Sequence, residues 1–254
     1  MSYISTNLNF LITAIKKVGG SLTRDFNEIE QLQTSLRGHQ EYTKAAIDRM
    51  NKALRVELQK GRPDYAVVTE AKDLPATPCF VVSPLDGSLN FMHGIPYFAV
   101  SVAVVDKGQV TSAVIYNPAT ADLFFAEKGC GAFKEGYRNH ERLRVSARKD
   151  LKDALLGMSD SRLADSVAAV RINGALSLDL AMLAAGKLEG VVAQDSNLGA
   201  YAAGVLLVKE AGGYVYEYNQ KDIRTADMSA VLASGNIIAS NAELGPKLYA
   251  LLHK

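Results

Sequence analysis

Ser83-Pro84-Leu85-Asp86-Gly87-Ser88-Leu89-Asn90-Phe91 follows directly on the apolar run Cys79-Phe80-Val81-Val82. The run reads as a buried strand, and Pro84, which has no N–H to give to a ladder, marks where strand pairing must loosen. Asp-Gly-Ser then supplies a turn former, a residue free to take positive φ, and a hydroxyl where a helix can begin. Two readings of the segment stay open. Amides at such a helix start attract phosphate, and Asp86 offers carboxylate oxygens to a hard cation beside it. Alternatively, the segment is a turn with a helix cap and nothing more.

Outward from this point the chain alternates strand and helix patterns. Tyr65–Thr69, Phe98–Asp106, Gln109–Tyr116 and Asp122–Ala126 are apolar or alternating runs, with Lys107-Gly108 as the turn of a hairpin. Upstream, Leu8, Leu11, Ile12, Ile15 and Val18 recur at helical spacing until Gly19-Gly20, and Phe26, Ile29, Leu32 and Leu36 mark a second helix ending before Gly38. A third helix spans about Tyr42 to Lys60 and stops at Gly61 and Pro63. Downstream, the patterns predict a helix over Leu176–Ala185, a strand at Gly190–Gln194 and a helix over Ala200–Ala211. They continue with strands at Tyr214–Tyr218 and Ala230–Ser240 and a last helix over Ala242–Leu252. Strands grouped early and alternating with helices late point to layered α/β packing. No repeat or low-complexity tract interrupts the 254 residues, which at roughly 150 residues per domain make one large domain or two joined halves. The polar run Ala147-Arg148-Lys149-Asp150 is the softest boundary, giving an α+β half over 1–147 and an α/β half over 148–254 within one compact unit.

Composition excludes several classes. Hydrophobic residues make up 48% of the chain, enough for a substantial core and too many for wholesale disorder. Lys and Arg number 28 against 27 Asp and Glu, so the basic excess of a general nucleic-acid binder is missing. Arg138, Arg142, Arg144, Arg148 and Lys149 read as a solvated loop with acids interspersed. Cys79 and Cys130 cannot build a disulfide framework, and the four histidines lack zinc-site spacing. With no long apolar run and no signal-like start, the expected location is the cytoplasm, away from membranes.

Six separated pieces resemble the inositol monophosphatase family in the family's own order: Arg24–Glu28, Arg62–Glu70, Pro84–Gly94, Ala113–Glu127, Gly174–Gly190 and Ala203–Gly213. The bacterial branch that includes the extragenic suppressor proteins looks most similar. The resemblance implies an α/β/α/β/α layered sandwich, a homodimer, and Mg²⁺-dependent hydrolysis of small phosphorylated alcohols by two metals. Carried across, the metal-binding glutamate is Glu70, the carbonyl ligand belongs to Leu85, and the second motif aspartate is Asp86. Gly87 and Ser88 match the positions that cradle phosphate, and Ser88 also stands where the family has a water-activating threonine.

The same comparison shows what is missing. The first motif aspartate is Ser83, the Trp-Asp pair near the C-terminal half falls on Gly199 and Ala200, and a second acid after Glu70 is Ala71. An aspartate that supports the attacking water is Ile47, with Asp48 turned about 100° away along a helix. Glu70 and Asp86 keep half of the family's four metal carboxylates, which implies at most one weak Mg²⁺ site and a phosphomonoesterase activity weak or lost. Asp195 and Asp73 are the nearest acids to replace lost ligands; their ordinary readings are a helix cap or a solvent-facing side chain. His93, Asp179 and Glu210 read as packing and scaffold residues. The family's substrate-selecting acid falls near Ala193, so a phosphorylated molecule other than inositol phosphate, or free phosphate or sulfate, is the implied ligand. The alternative is a pseudoenzyme acting through a protein partner, as extragenic suppressor relatives do in RNA processing and transcription antitermination.

Overall fold

In a computed structural model that describes residues 4–29, 36–222 and 227–253, the chain forms two sheets separated and flanked by helices. Helices α1 (Thr6–Ile29) and α2 (Leu36–Gly61) come first. A seven-stranded sheet follows in sequence order: β1 (Ala66–Val68), β2 (Cys79–Asp86), β3 (Ala99–Asp106), β4 (Gln109–Asn117), β5 (Asp122–Glu127), β6 (Gly131–Lys134) and β7 (Glu141–Arg142). The short α3 (Ser88–Met92) lies between β2 and β3. The second sheet holds β8 (Leu155–Met158), β9 (Ala169–Arg171), β10 (Gly190–Ala193), β11 (Tyr214–Glu217) and β12 (Ile237–Ser240), in the order β11-β12-β10-β8-β9. Helices α4 (Leu176–Ala184), α5 (Leu198–Glu210), α6 (Met228–Ser234) and α7 (Gly245–Leu252) connect its strands.

Strand alternation builds the layers. Phe80, Val82, Val100, Val102 and Val104 pack on α1 and α2, whereas Cys79, Val81, Ala99 and Val105 face α4 and α5. On the far side of those helices, Val191, Ala193, Ile237 and Ala239 close the central core, and Val192 and Ile238 turn outward to meet Leu248 of α7. The order is helices, sheet, helices, sheet, helix, the five-layer α/β/α/β/α sandwich. Being covered on both sides, α5 (Leu-Gly-Ala-Tyr-Ala-Ala-Gly-Val-Leu-Leu-Val-Lys-Glu) is apolar nearly all round. Its Gly204 lets α4 approach, since a Cβ there would lie 2.5 Å from Leu180. Among the described residues no helix is long and apolar enough to cross a membrane.

Local expectations are corrected in four places. Gly19-Gly20 does not break α1, because the buried stripe runs on through Leu22, Phe26 and Ile29. Two helical glycines cost about 1 kcal/mol each, less than the burial of those side chains at about 1.5–3 kcal/mol apiece. Gly19 is also where the helix meets Tyr116, whose ring a Cβ would approach to 2.6 Å. Phe26 and Ile29 therefore end α1, Gly38 sits in the first turn of α2, and Leu32 of the expected second helix lies outside the described residues. The Ala230–Ser240 strand divides: the Asp227 carboxylate caps α6 by accepting the Ser229 N–H at 3.0 Å, and Gly235 at φ 68° ends it before β12. The last helix starts at Gly245 rather than Ala242, because Asn241 spends its side chain bridging Ser146, Arg148 and the Glu243 and Leu244 amides.

Candidate functional site

Two cavities open at the start of α5, one of them bordered by Asp86 at the end of β2. One, of about 470 Å³, is walled by Met158, Ile172, Leu176, Val191, Val192 and Ala200, with Asp86 and Asp179 its charged groups. The other, of about 360 Å³, is lined by Glu70, Lys72, Asp195 and residues of the α5 and α6 ends. Ser196 and Asn197 border both.

Asp86 is positioned by an irregularity that Pro84 introduces. The β2–β3 register shifts between Ser83, opposite Ser101, and Asp86, opposite Ala99. Gly87 then takes φ 80°, tight enough that a Cβ would lie 2.8 Å from the Tyr97 carbonyl oxygen. The turn carries the Asp86 carboxylate to the start of α4, where it accepts the Ser177 N–H at 2.7 Å and the Ser177 hydroxyl at 2.6 Å. Ala175, at the N-cap of α4, has no side chain to satisfy those first amides. Asp86 caps the helix from 91 residues away. Burial pushes its pKa up to about 6, opposed by the Ser177 hydroxyl and amide and raised further by Asp179; the Gly87 N–H also turns toward it.

Asp179 sits in the first turn of the same helix and is 5% exposed. Its Oδ1 accepts the Tyr97 hydroxyl at 2.8 Å and the Asn173 amide at 2.7 Å, while Oδ2 lies close beside Gly157. Burial raises its pKa to about 6 against those two hydrogen bonds. The Asn90 side chain, donating to the Tyr97 and Asn173 carbonyls at 2.7 Å each, ties α3 to the loop that presents Asp179.

Glu70 lies in the other cavity and forms an ion pair with Lys72 at 2.7 Å. The wall between the two cavities is the start of α5. The Gly199 N–H donates to the Thr69 carbonyl at 3.1 Å, the Ser101 hydroxyl to the Gly199 carbonyl at 2.8 Å, and a Cβ on Gly199 would collide with the Val82 carbonyl oxygen. Backbone packs on backbone there, and the Ala200 methyl joins the apolar cavity. Two-metal chemistry needs several carboxylates converging on one point. Glu70 and Asp86 line different cavities and each already has a partner, and among the described residues no group of three or more His, Cys, Asp or Glu converges. The residues present do not fit a pair of divalent cations.

The remaining residues named from sequence fall as follows. Ser83 is partly buried in the ladder, Leu85 is buried, Gly87 is buried and Ser88 is exposed. Asp195 is exposed at φ 51°, and the cap of α5 is Asn197, whose side chain accepts the Gly199 N–H at 3.0 Å. Asp73 is exposed in the turn Ala71–Asp73, and His93, expected to pack, is exposed as well. Ile47 packs on the cluster between α1, α2 and the first sheet while Asp48 faces solvent. Glu210 is a scaffold residue, accepting the Gly129 and Gly131 amides at 2.8 Å each. Ser177 and Lys72, the partners of Asp86 and Glu70, were not singled out from sequence, and Asp179 was read as scaffold only. Lys72 had a local signal, an ammonium two residues from Glu70; Ser177 had none.

A model of the inositol monophosphatase family matches residues 4–254. The inositol-1-monophosphatase of Rhizobium meliloti is 37% identical over 269 residues, covering 98% of this chain and 97% of that protein. The Nus factor SuhB of Xylella fastidiosa is 31% identical over 256 residues, covering 92% of each. Among solved structures, the extragenic suppressor protein SuhB of Bartonella henselae superposes with a TM-score of 0.83 at 33% identity, covering 99% of this chain and all of that one. With the five-layer sandwich and the strand-turn-helix at Asp86 in place, the match over the whole chain settles the assignment: this chain belongs to the inositol monophosphatase family.

Proposed function

We propose that this chain is a catalytically depleted member of its family, in which phosphomonoester hydrolysis is weak or lost and the scaffold serves as a binding protein. One observation carries the reading: the two retained family carboxylates are held by protein donors, Asp86 by Ser177 and Glu70 by Lys72, in separate cavities. A carboxylate engaged this way must surrender its hydrogen bonds before it takes a metal, and among the described residues no converging acids compensate the loss. Mg²⁺ then finds at most one weak site, where Glu70 and Asp195 line the same cavity and the Lys72 ammonium competes with it. The binding role has a precedent in the relative named as a Nus factor, which makes a protein partner in transcription the alternative to a small-molecule role. A cytoplasmic homodimer completes the reading.

The test is phosphate release from a panel of small phosphomonoesters, inositol monophosphate included, across a magnesium titration, with an active family phosphatase run alongside. Release no faster than the buffer blank is expected. Robust turnover at millimolar magnesium overturns the proposal. Light scattering on the purified chain tests the dimer, and a monomer mass at all concentrations removes that part of it.

A further inference from the structure

The apolar cavity combines features that a phosphate pocket does not. Its two charged groups are both carboxylates, and among the described residues no Lys, Arg or His lines it. Asp179 Oδ2 accepts no hydrogen bond among the described residues; it lies beside Gly157 in the cavity lining and is not sealed from solvent, although the residue as a whole is 5% exposed. A carboxylate oxygen that meets only the cavity can take a donor from whatever enters it, and gains most from a cationic one. Around it the walls are hydrocarbon, from Met158, Leu176 and Val192 at depth to Ile172 at the rim, 60% exposed. A volume of about 470 Å³ falls in the range of small-molecule sites. A phosphate dianion entering without metals would meet two carboxylates and no opposite charge, an arrangement that Coulomb repulsion in a partly desolvated pocket opposes.

We propose that this cavity binds a small organic cation, an alkylammonium whose head group pairs with Asp179 Oδ2 and whose hydrocarbon lies on Met158, Ile172, Leu176 and Val192. The assignment rests on the reading that the metals are gone, because a bound metal pair would reverse the charge the cavity presents.

Calorimetry on the full chain near neutral pH, with three probes, tests it. Cyclohexylammonium should bind saturably at one site, at least tenfold more tightly than cyclohexanol of the same shape, and inorganic phosphate should give no saturable heat. Asp179→Asn keeps an acceptor for Tyr97 and should weaken the ammonium at least tenfold. Ala200→Lys, which places a competing ammonium in the cavity while leaving Asp179 intact, should abolish binding and guards against a folding defect in the first variant. Equal binding of cyclohexanol, tighter binding of phosphate, or ammonium binding unchanged in both variants would overturn the inference. Magnesium-dependent phosphate release would sink the proposed function and this inference with it. Absence of release together with absence of ammonium binding would sink this inference alone.

Discussion

Replacing Ser177 by alanine isolates the contact that diverts Asp86. The hydroxyl is 2.6 Å from Asp86 Oδ2 and the residue is fully buried, so no water replaces it on the same terms. The backbone N–H at 2.7 Å remains, and one methyl-sized side chain replaces another of nearly equal volume, so packing changes little. A hydrogen bond to a charged acceptor contributes about 1.5–3 kcal/mol, against about 0.5–1.5 kcal/mol when both partners are neutral. The loss therefore depends on the ionisation of Asp86. Its folded pKa, about 6, lies above the ordinary 3.8, so the native state holds this proton more tightly than the unfolded chain does. That contribution to stability is fully present below the unfolded value and is lost as pH rises through about 6. Removing the hydroxyl takes away a group that favours the charged form, so the folded pKa moves higher and the parent-to-variant gap widens as the carboxylate ionises. Urea unfolding should show a loss of about 2 kcal/mol at about pH 8, shrinking to under about 1 kcal/mol at about pH 5, with an unchanged m-value. A loss below about 0.5 kcal/mol at the higher pH, or the same loss at both, would refute the claim that Ser177 holds an ionised Asp86.

Three further outcomes follow from the same geometry. Asp179 also titrates at about 6, so the parent should lose on the order of 1–3 kcal/mol relative to Asp179→Asn as pH rises from about 5 to about 7, and a flat difference in thermal melts counts against its burial as described. Millimolar magnesium or its removal by chelator should leave the melting temperature within about 1 °C, since a cation stabilises only to the extent that it binds the native state; a rise of several degrees would reveal a metal site the side chains do not suggest. Gly199→Ala pushes a methyl into the Val82 carbonyl and should destabilise by about 1–3 kcal/mol, so an unchanged unfolding midpoint would mean that α5 is not seated on β2 as the backbone contacts indicate.

How much of this was legible depended on whether the cause was local. The central strands were, because Val102, Val104, Val114 and their neighbours make runs that only a sheet between two helical layers buries on both faces. The continuity of α1 through Gly19-Gly20 was not, since glycine is a local signal for a break and the override is the burial of Leu22, Phe26 and Ile29 in the core. Strands β7 and β9, two and three residues long, are shorter than any period that could announce them. At the site, the loss of charge at Ser83 and Ala200 needed nothing beyond the residues themselves, because a hydroxyl or a methyl cannot take the place of a carboxylate. What became of the carboxylates left behind was hidden for Asp86, whose partner is a tertiary neighbour, and visible in principle for Glu70, whose partner is two residues away.

The settings of Glu70 and Asp86 follow from the same electrostatics. A carboxylate is expensive to bury without a partner, and it must find donors or take up a proton. Glu70, half exposed, finds an ammonium in its own loop. Asp86 is deeper, and the donors within reach are the unsatisfied amide and hydroxyl at the start of α4, a helix whose own N-cap is Ala175. The helix gains a cap and the aspartate gains partners, so each defect removes the other. Between them the small residues Gly199 and Ala200 let α5 close on the ends of the strands, filling with backbone the space that large and charged side chains would otherwise hold apart. Asp179 has one oxygen satisfied by Tyr97 and Asn173 and the other beside an apolar cavity. The part of the site with the least internal compensation is therefore the part that a ligand of opposite charge would complete.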